Sequence, residues 1–145
     1  MTRWLDRIKA AMTTEEPDAE RVELAAAVLL LETVLVDYDE DDGELEVVEN
    51  AIAETFGMPR QAVDELLQEA REAHRHAVDM QQFTSAIRAN WDPRHRGDLL
   101  EAMWRVAYAD GRLDRYEEAH LRKAADLLGL RHAEFIQRKH RVTGE

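Results

Sequence analysis

Apolar residues recur at spacings of three and four along almost the whole chain, and no alternation of apolar and polar residues persists over six residues. Leu24, Val28, Leu31 and Leu35, for example, form one stripe of a helix predicted over residues 18–36. A period near 3.6 places apolar residues on one face of a helix, whereas a half-buried strand needs a period of two. The pattern therefore predicts an all-α fold.

Residues that start and stop helices divide this pattern into segments. Gly57 and Gly129 follow apolar segments and favour left-handed caps. Asp92 followed by Pro93 is typical of a helix start, with aspartate as the N-cap and proline at the first helical position. The predicted helices are 2–12, 18–36, 42–56, 59–78, 80–89, 93–109, 114–128 and 131–141. Helix 59–78 is predicted to continue, straight or with a kink, into helix 80–89.

A unit of helix, acidic turn, helix and glycine occurs twice in the chain. Residues 32–58 and 105–130 each contain an Asp, a second Asp four residues later and a Glu three residues after that. An internal duplication explains the repeat. The predicted organisation is a single domain of about seven helices, 1–145, with an N-terminal amphipathic helix and a break at 1–17 and two similar halves at 18–78 and 79–145.

The acids of each turn differ in their relation to the neighbouring helices. In the second turn, Asp114 suits an N-cap and Glu117 completes a capping box. Asp110 instead ends a helix, where the backbone dipole is negative and an unpaired Asp costs about 0.3–1 kcal/mol. The first turn has the same arrangement. The candidate site residues are Asp110, Asp114, Glu117, Asp37, Asp41 and Glu44.

Two interpretations of the acidic turns stay open on the residues alone. A hard cation, Ca²⁺ or Mg²⁺, would relieve the repulsion at Asp37 and Asp110 because it binds carboxylate oxygens. Capping combined with solvent or with a nearby arginine, such as Arg112 or Arg115, would relieve it as well. An EF-hand is excluded, because a loop starting at Asp37 lacks the required glycine and places Val48 where the closing glutamate belongs.

Charge is unevenly distributed along the 145 residues, which include 19 basic and 31 acidic residues for a net charge of −12. Between Glu15 and Glu54 there are fifteen acidic residues and one basic residue. This balance disfavours general binding to nucleic-acid phosphates and suits a cation or a basic protein partner. The absence of cysteine excludes disulfides, thiolate nucleophiles and Cys-ligated metals.

No targeting segment or membrane span is predicted. The longest apolar run is shorter than the roughly 20 residues needed to cross a bilayer, and Glu32 interrupts it. Residues 1–12 lack the uninterrupted apolar core of a secretory signal. Their amphipathic pattern allows contact with a membrane surface, but docking on the chain's own domain is favoured. The expected location is cytoplasmic.

The histidines and nucleophiles add little to the predicted chemistry. His120 follows Glu117 by one helical turn, so it is either a further metal ligand or, as the favoured interpretation, a solvent-exposed residue. His74 and His76 are two residues apart, which makes a poor chelating pair, and surface positions are expected for both. The sequence contains no nucleophile–base motif and no glycine-rich phosphate loop, so an enzyme is not expected.

The chain resembles the tellurite-resistance TerB-like family over roughly residues 20–140. The resemblance rests on Leu24–Met58, which includes the first acidic turn, and on Trp104–Glu118, which includes the second. It implies an all-helical domain with two related halves, an acidic divalent-metal surface at the six candidate acids, and a link to tellurite and other stress resistance. Tyr38 and Glu40 depart from the family's first motif, so the second turn is the stronger candidate.

These observations favour a non-enzymatic module whose acidic turns bind Ca²⁺ or Mg²⁺ and whose surface docks a protein partner. The alternative is a metal-free acidic adaptor that binds a basic protein partner. A metal-dependent hydrolase is a third hypothesis. It is disfavoured because it needs an open metal position and a positioned base, and the sequence indicates neither.

Overall fold

Seven helices make up the part of the chain that the structure describes. The computed structural model describes residues 19–35, 42–77, 80–109, 111 and 115–144, the side chains of residues 19–21, 35 and 42–45 excepted. The predicted all-α fold is confirmed, and the predicted helix at 2–12 lies outside the described residues. The helices are α1 (Ala19–Leu35), α2 (Asp42–Phe56), α3 (Arg60–Arg75), α4 (Gln81–Asn90), α5 (Pro93–Ala107), α6 (Arg115–Leu127) and α7 (His132–Thr143).

The first helix, α1, is the centre of the fold. It packs mainly against α2, α3, α4 and α5, and every side chain from Leu24 to Leu31 is buried. The predicted stripe is therefore only part of the buried surface, because a helix that is apolar on all sides is covered on all sides. Even so, no helix within the described ranges is both long enough and apolar enough to cross a membrane.

The two halves of the chain use similar helix packing. In the first half α1 packs against α3, and α2 contacts both of them. In the second half α5 packs against α7, and α6 contacts both of them. The ends of α2 and α6 also share a hydrogen-bond pattern: Met58 N donates to Ala53 O at 3.2 Å, and Leu130 N donates to Ala125 O at 2.9 Å. An internal duplication would produce this similarity, and it stays a prediction. Packing of α1 on α5 joins the two groups of three helices.

The structure separates two helices that the sequence pattern joined. α3 ends at Arg75, where the His76 backbone N–H donates to Ala73 O at 3.3 Å. α4 begins only at Gln81 and packs against α1 and α6. The prediction that 59–78 continues into 80–89 is therefore wrong, because the break between α3 and α4 allows α4 to cover α1.

The start of α5 forms as predicted. The Asp92 carboxylate accepts a hydrogen bond from the His95 backbone N–H at 2.9 Å, and Pro93 occupies the first helical position. Asp92 Oδ1 also lies 3.0 Å from His95 Nδ1. The side-chain contact and the backbone bond together lower the pKa of Asp92, the backbone bond being the larger cause.

Gly57 and Gly129 adopt the predicted left-handed conformation, with φ of +64° and +74°. Replacing either glycine with alanine should lower the free energy of unfolding by about 1 kcal/mol, because a residue with a Cβ is strained in the left-handed conformation. We expect Gly129→Ala to cost more than Gly57→Ala, because its Cβ would lie 2.9 Å from Arg96 Nη1 and 3.0 Å from Arg88 Nε, whereas nothing lies within 4 Å at Gly57. Urea unfolding of both variants measures the difference, and equal losses of stability would contradict the prediction.

Candidate functional site

The acidic turns are only partly covered by the described residues. Asp37, Asp41, Asp110 and Asp114 lie outside them, and Glu44 is described only through its backbone in the first turn of α2. Their grouping around a cation therefore stays a prediction. The remaining predicted ligand is Glu117, which is placed with its side chain.

Glu117 lies in the first turn of α6 and is buried, with 7% of its surface exposed. Its position near a helix N-terminus is favourable for a negative charge. Just upstream, α5 ends at Ala107 with Tyr108 as its C-cap. Gly111 follows in a left-handed conformation, with φ of +79°, and its N–H donates to Tyr108 O at 2.9 Å. Glu117, a buried carboxylate at the start of α6, therefore follows the last residue of α5, Ala107, by ten residues.

A second group of polar side chains joins α1, α3 and α6. The Glu32 carboxylate on α1 is hydrogen-bonded to His74 Nε2 on α3. The neighbouring Thr33 hydroxyl donates to Leu29 O at 2.8 Å and lies 3.3 Å from His120 Nε2 on α6. Because the threonine proton is directed at a carbonyl, we assign His120 Nε2 as the donor to Thr33 Oγ1. We call Glu32, His74, Thr33 and His120 the polar cluster.

The pKa values of the two histidines of the polar cluster are shifted in opposite directions. The hydrogen bond with Glu32 raises the pKa of His74, and burial opposes this rise. The same hydrogen bond lowers the pKa of Glu32. Burial instead lowers the pKa of His120, and the Glu32 charge only partly offsets that effect. The geometry therefore favours a charged His74 beside Glu32 and a neutral His120 beside Thr33.

A cavity of about 160 Å³ opens beside the Glu32–His74 pair. Apart from this pair its walls are apolar, so the polar groups are confined to one side. Cavities of similar size bind molecules as large as benzene. The lining residues are Val28, Leu29, Glu32, His74, Ala77, Met80 and Phe83.

The sequence-based interpretation of the histidines was wrong in two respects. His74 was expected at the surface, but its side chain is 30% exposed and is paired with Glu32. His120 was expected in solvent, but it is partly buried against Thr33. The available signal was Glu32 itself, a lone carboxylate that borders the longest apolar run and therefore requires a partner.

The polar cluster is not arranged as a metal centre. In the ranges that the structure covers, no group of three or more His, Asp or Glu side chains has the positions to hold a metal ion. The chemistry available to the cluster is proton exchange and hydrogen bonding at the Glu32–His74 pair. The acidic turns stay the candidate for a cation.

Comparison with known proteins identifies the family of the chain. The family described as tellurite resistance protein TerB matches residues 23–140. No curated protein matches the chain, and no solved structure does. The family match spans both groups of three helices, both acidic turns and the polar cluster, well over half of the chain, so the chain belongs to the TerB family of tellurite resistance proteins.

Proposed function

We propose that this chain is a non-enzymatic module of a tellurite or stress response, which binds Ca²⁺ or Mg²⁺ at its acidic turns and docks a protein partner beside them. Membership of the TerB family supports the link to tellurite resistance. The burial of Glu117 at the start of α6 is the observation that carries the cation proposal.

The donor set of the second turn fits a hard divalent cation. Asp110, Asp114 and Glu117 supply only carboxylate oxygens, the ligands that Ca²⁺ and Mg²⁺ prefer. A carboxylate removed from water is stabilised by hydrogen-bond donors or by a cation. A cation held by all three would add to the groups that already contact Glu117, and it would neutralise charge at the end of α5.

An exposed aromatic residue lies next to this turn and supports the docking surface. Tyr116 is 70% exposed, although it directly precedes the buried Glu117. Tyrosine is enriched in protein interfaces because it combines a large apolar ring with a polar tip. A cation that is bound by the carboxylates would hold the turn in one conformation, and it would therefore also fix the position of Tyr116 for a partner.

Thermal unfolding with added CaCl₂ or MgCl₂ tests the cation site. A ligand that binds only the folded state raises the melting temperature, so we expect a rise in the parent protein and none in Asp110→Asn. Asp126→Asn, which removes an exposed carboxylate elsewhere on α6, should keep the rise. No shift with either cation in the parent protein would overturn the proposal.

A metal-free acidic adaptor is the second candidate, favoured by the fifteen acidic residues between Glu15 and Glu54. Such a surface attracts a basic partner through its field, and salt screens that attraction. Calorimetric titration with a lysine-rich peptide, repeated after removal of divalent cations by a chelator, separates the candidates. Peptide binding without any response to cations would favour the adaptor.

A further inference from the structure

Two arginines from different helices meet at the end of α6. Arg88 lies in the last turn of α4, and Arg96 lies in the first turns of α5. A Cβ at Gly129 would lie 2.9 Å from Arg96 Nη1 and 3.0 Å from Arg88 Nε. Both guanidinium groups therefore lie within about 3 Å of one point and are neighbours of each other.

The backbone holds one of these two groups in place. Arg96 Nη1 donates to Leu128 O at 2.6 Å, and Arg96 Nε donates to Trp91 O at 3.1 Å. Both acceptors are carbonyl oxygens, so Arg96 is oriented but its charge is not neutralised. The C-terminal end of α6 favours a cation here, which explains why an arginine is stable at this position.

Arg88 is an exposed residue, and no carboxylate within the described part of the chain forms an ion pair with either arginine. Arg105, Arg138 and Arg141 differ in this respect, since all three contact Glu101. Two adjacent like charges repel each other, and a shared anion would relieve the repulsion.

We propose that Arg88 and Arg96, held against Gly129, form a binding site for a phosphate-type oxyanion. Guanidinium groups present planar forks of N–H donors that match the oxygens of phosphate and sulfate. Arg96 Nε and Nη1 already donate to backbone carbonyls, so Arg96 would contribute its Nη2 group and its charge, and Arg88 its fork of donors. The absence of a side chain at Gly129 allows both guanidinium groups to approach the backbone at this point. The site lies just after the C-terminal end of α6, whereas Glu117 lies at the N-terminal end of that helix. The site is therefore independent of the proposed cation site.

The test is a titration of the full chain with sodium phosphate, sodium sulfate and O-phosphoserine, followed by NMR of the Gly129 amide and the arginine Nε–H signals. We expect saturable shifts that sodium chloride at the same ionic strength does not reproduce. The tighter of phosphate and O-phosphoserine then distinguishes a free ion from a phosphate monoester. Shifts that sodium chloride reproduces would overturn the proposal.

Variants of the exposed arginine make the assignment specific. Arg88→Gln should weaken phosphate binding at least about ten-fold, because one fork and one charge are lost. Arg88→Lys should lie between Arg88→Gln and the parent, since it retains the charge without the fork. Arg105→Gln removes the same charge from the exposed surface of α5 and should bind as the parent does. Unchanged affinity in Arg88→Gln would refute the site.

Discussion

Replacing Trp104 with alanine is expected to destabilise the fold by about 3–5 kcal/mol. Trp104 on α5 has no exposed surface. Its ring packs on Phe135 of α7 with centroids 5.1 Å apart, and Lys139 Nζ lies 5.7 Å from the ring centroid. Truncation would therefore leave a cavity between the helices that α5 holds together. A loss of this size is a large part of the stability of an ordinary domain.

Urea unfolding followed by circular dichroism measures this effect, and two variants serve as controls. Trp104→Phe should cost much less, because it keeps most of the ring and removes an indole N–H that has no hydrogen-bond partner among the described groups. Trp91→Ala should also cost less, since Trp91 is only partly buried against Phe56 and His95. A loss for Trp104→Ala no larger than for Trp91→Ala would contradict the predicted role of Trp104.

Removing the imidazole of His74 is expected to cost about 2 kcal/mol in mildly acidic solution, because Glu32 then keeps a partly buried charge without its main partner. The raised pKa of His74 means that its contribution is complete below its ordinary value of 6.5 and is lost as pH rises through the folded-state pKa. The lowered pKa of Glu32 means that its contribution is present above 4.5 and is lost as pH falls through the folded-state pKa.

The penalty of His74→Ala should therefore be largest between about pH 4.5 and 6.5 and should shrink in alkaline solution. His120 acts in the opposite sense: since its pKa is lowered, the neutral form is favoured in the folded state and stability is lost as pH falls below 6.5. Comparing His74→Ala with the parent at each pH cancels this contribution.

Urea unfolding at several pH values checks the His74 prediction. His140→Ala removes an exposed imidazole on α7 and controls for the loss of a histidine as such. Glu32→Gln should reproduce the pH dependence of His74→Ala, because either substitution abolishes the same ion pair. A His74→Ala penalty that is constant with pH, or that grows above pH 8, would rule out the charged pair.

Local signals in the sequence predicted most of the helices and their ends, the boundary between α3 and α4 excepted. The all-α class, the N-cap at Asp92 and the left-handed glycines 57 and 129 were all predicted, and the structure confirms them. These features depend on interactions within a few residues, namely hydrogen bonds of a helix terminus and the φ angles open to glycine. The acidic-turn site was also predicted from spacing, and it stays a prediction.

Only the tertiary structure decided which distant side chains meet. Glu32 and His74 pair across 42 residues of sequence, and Arg88 and Arg96 converge on Gly129. The burial of α1 on all sides likewise follows from the helices that cover it. Helical periodicity specifies which face of each helix is apolar, but it leaves open which helices pack together and at what register. That choice brought His74 and His120, both expected at the surface, into the polar cluster and placed Arg88 beside Arg96.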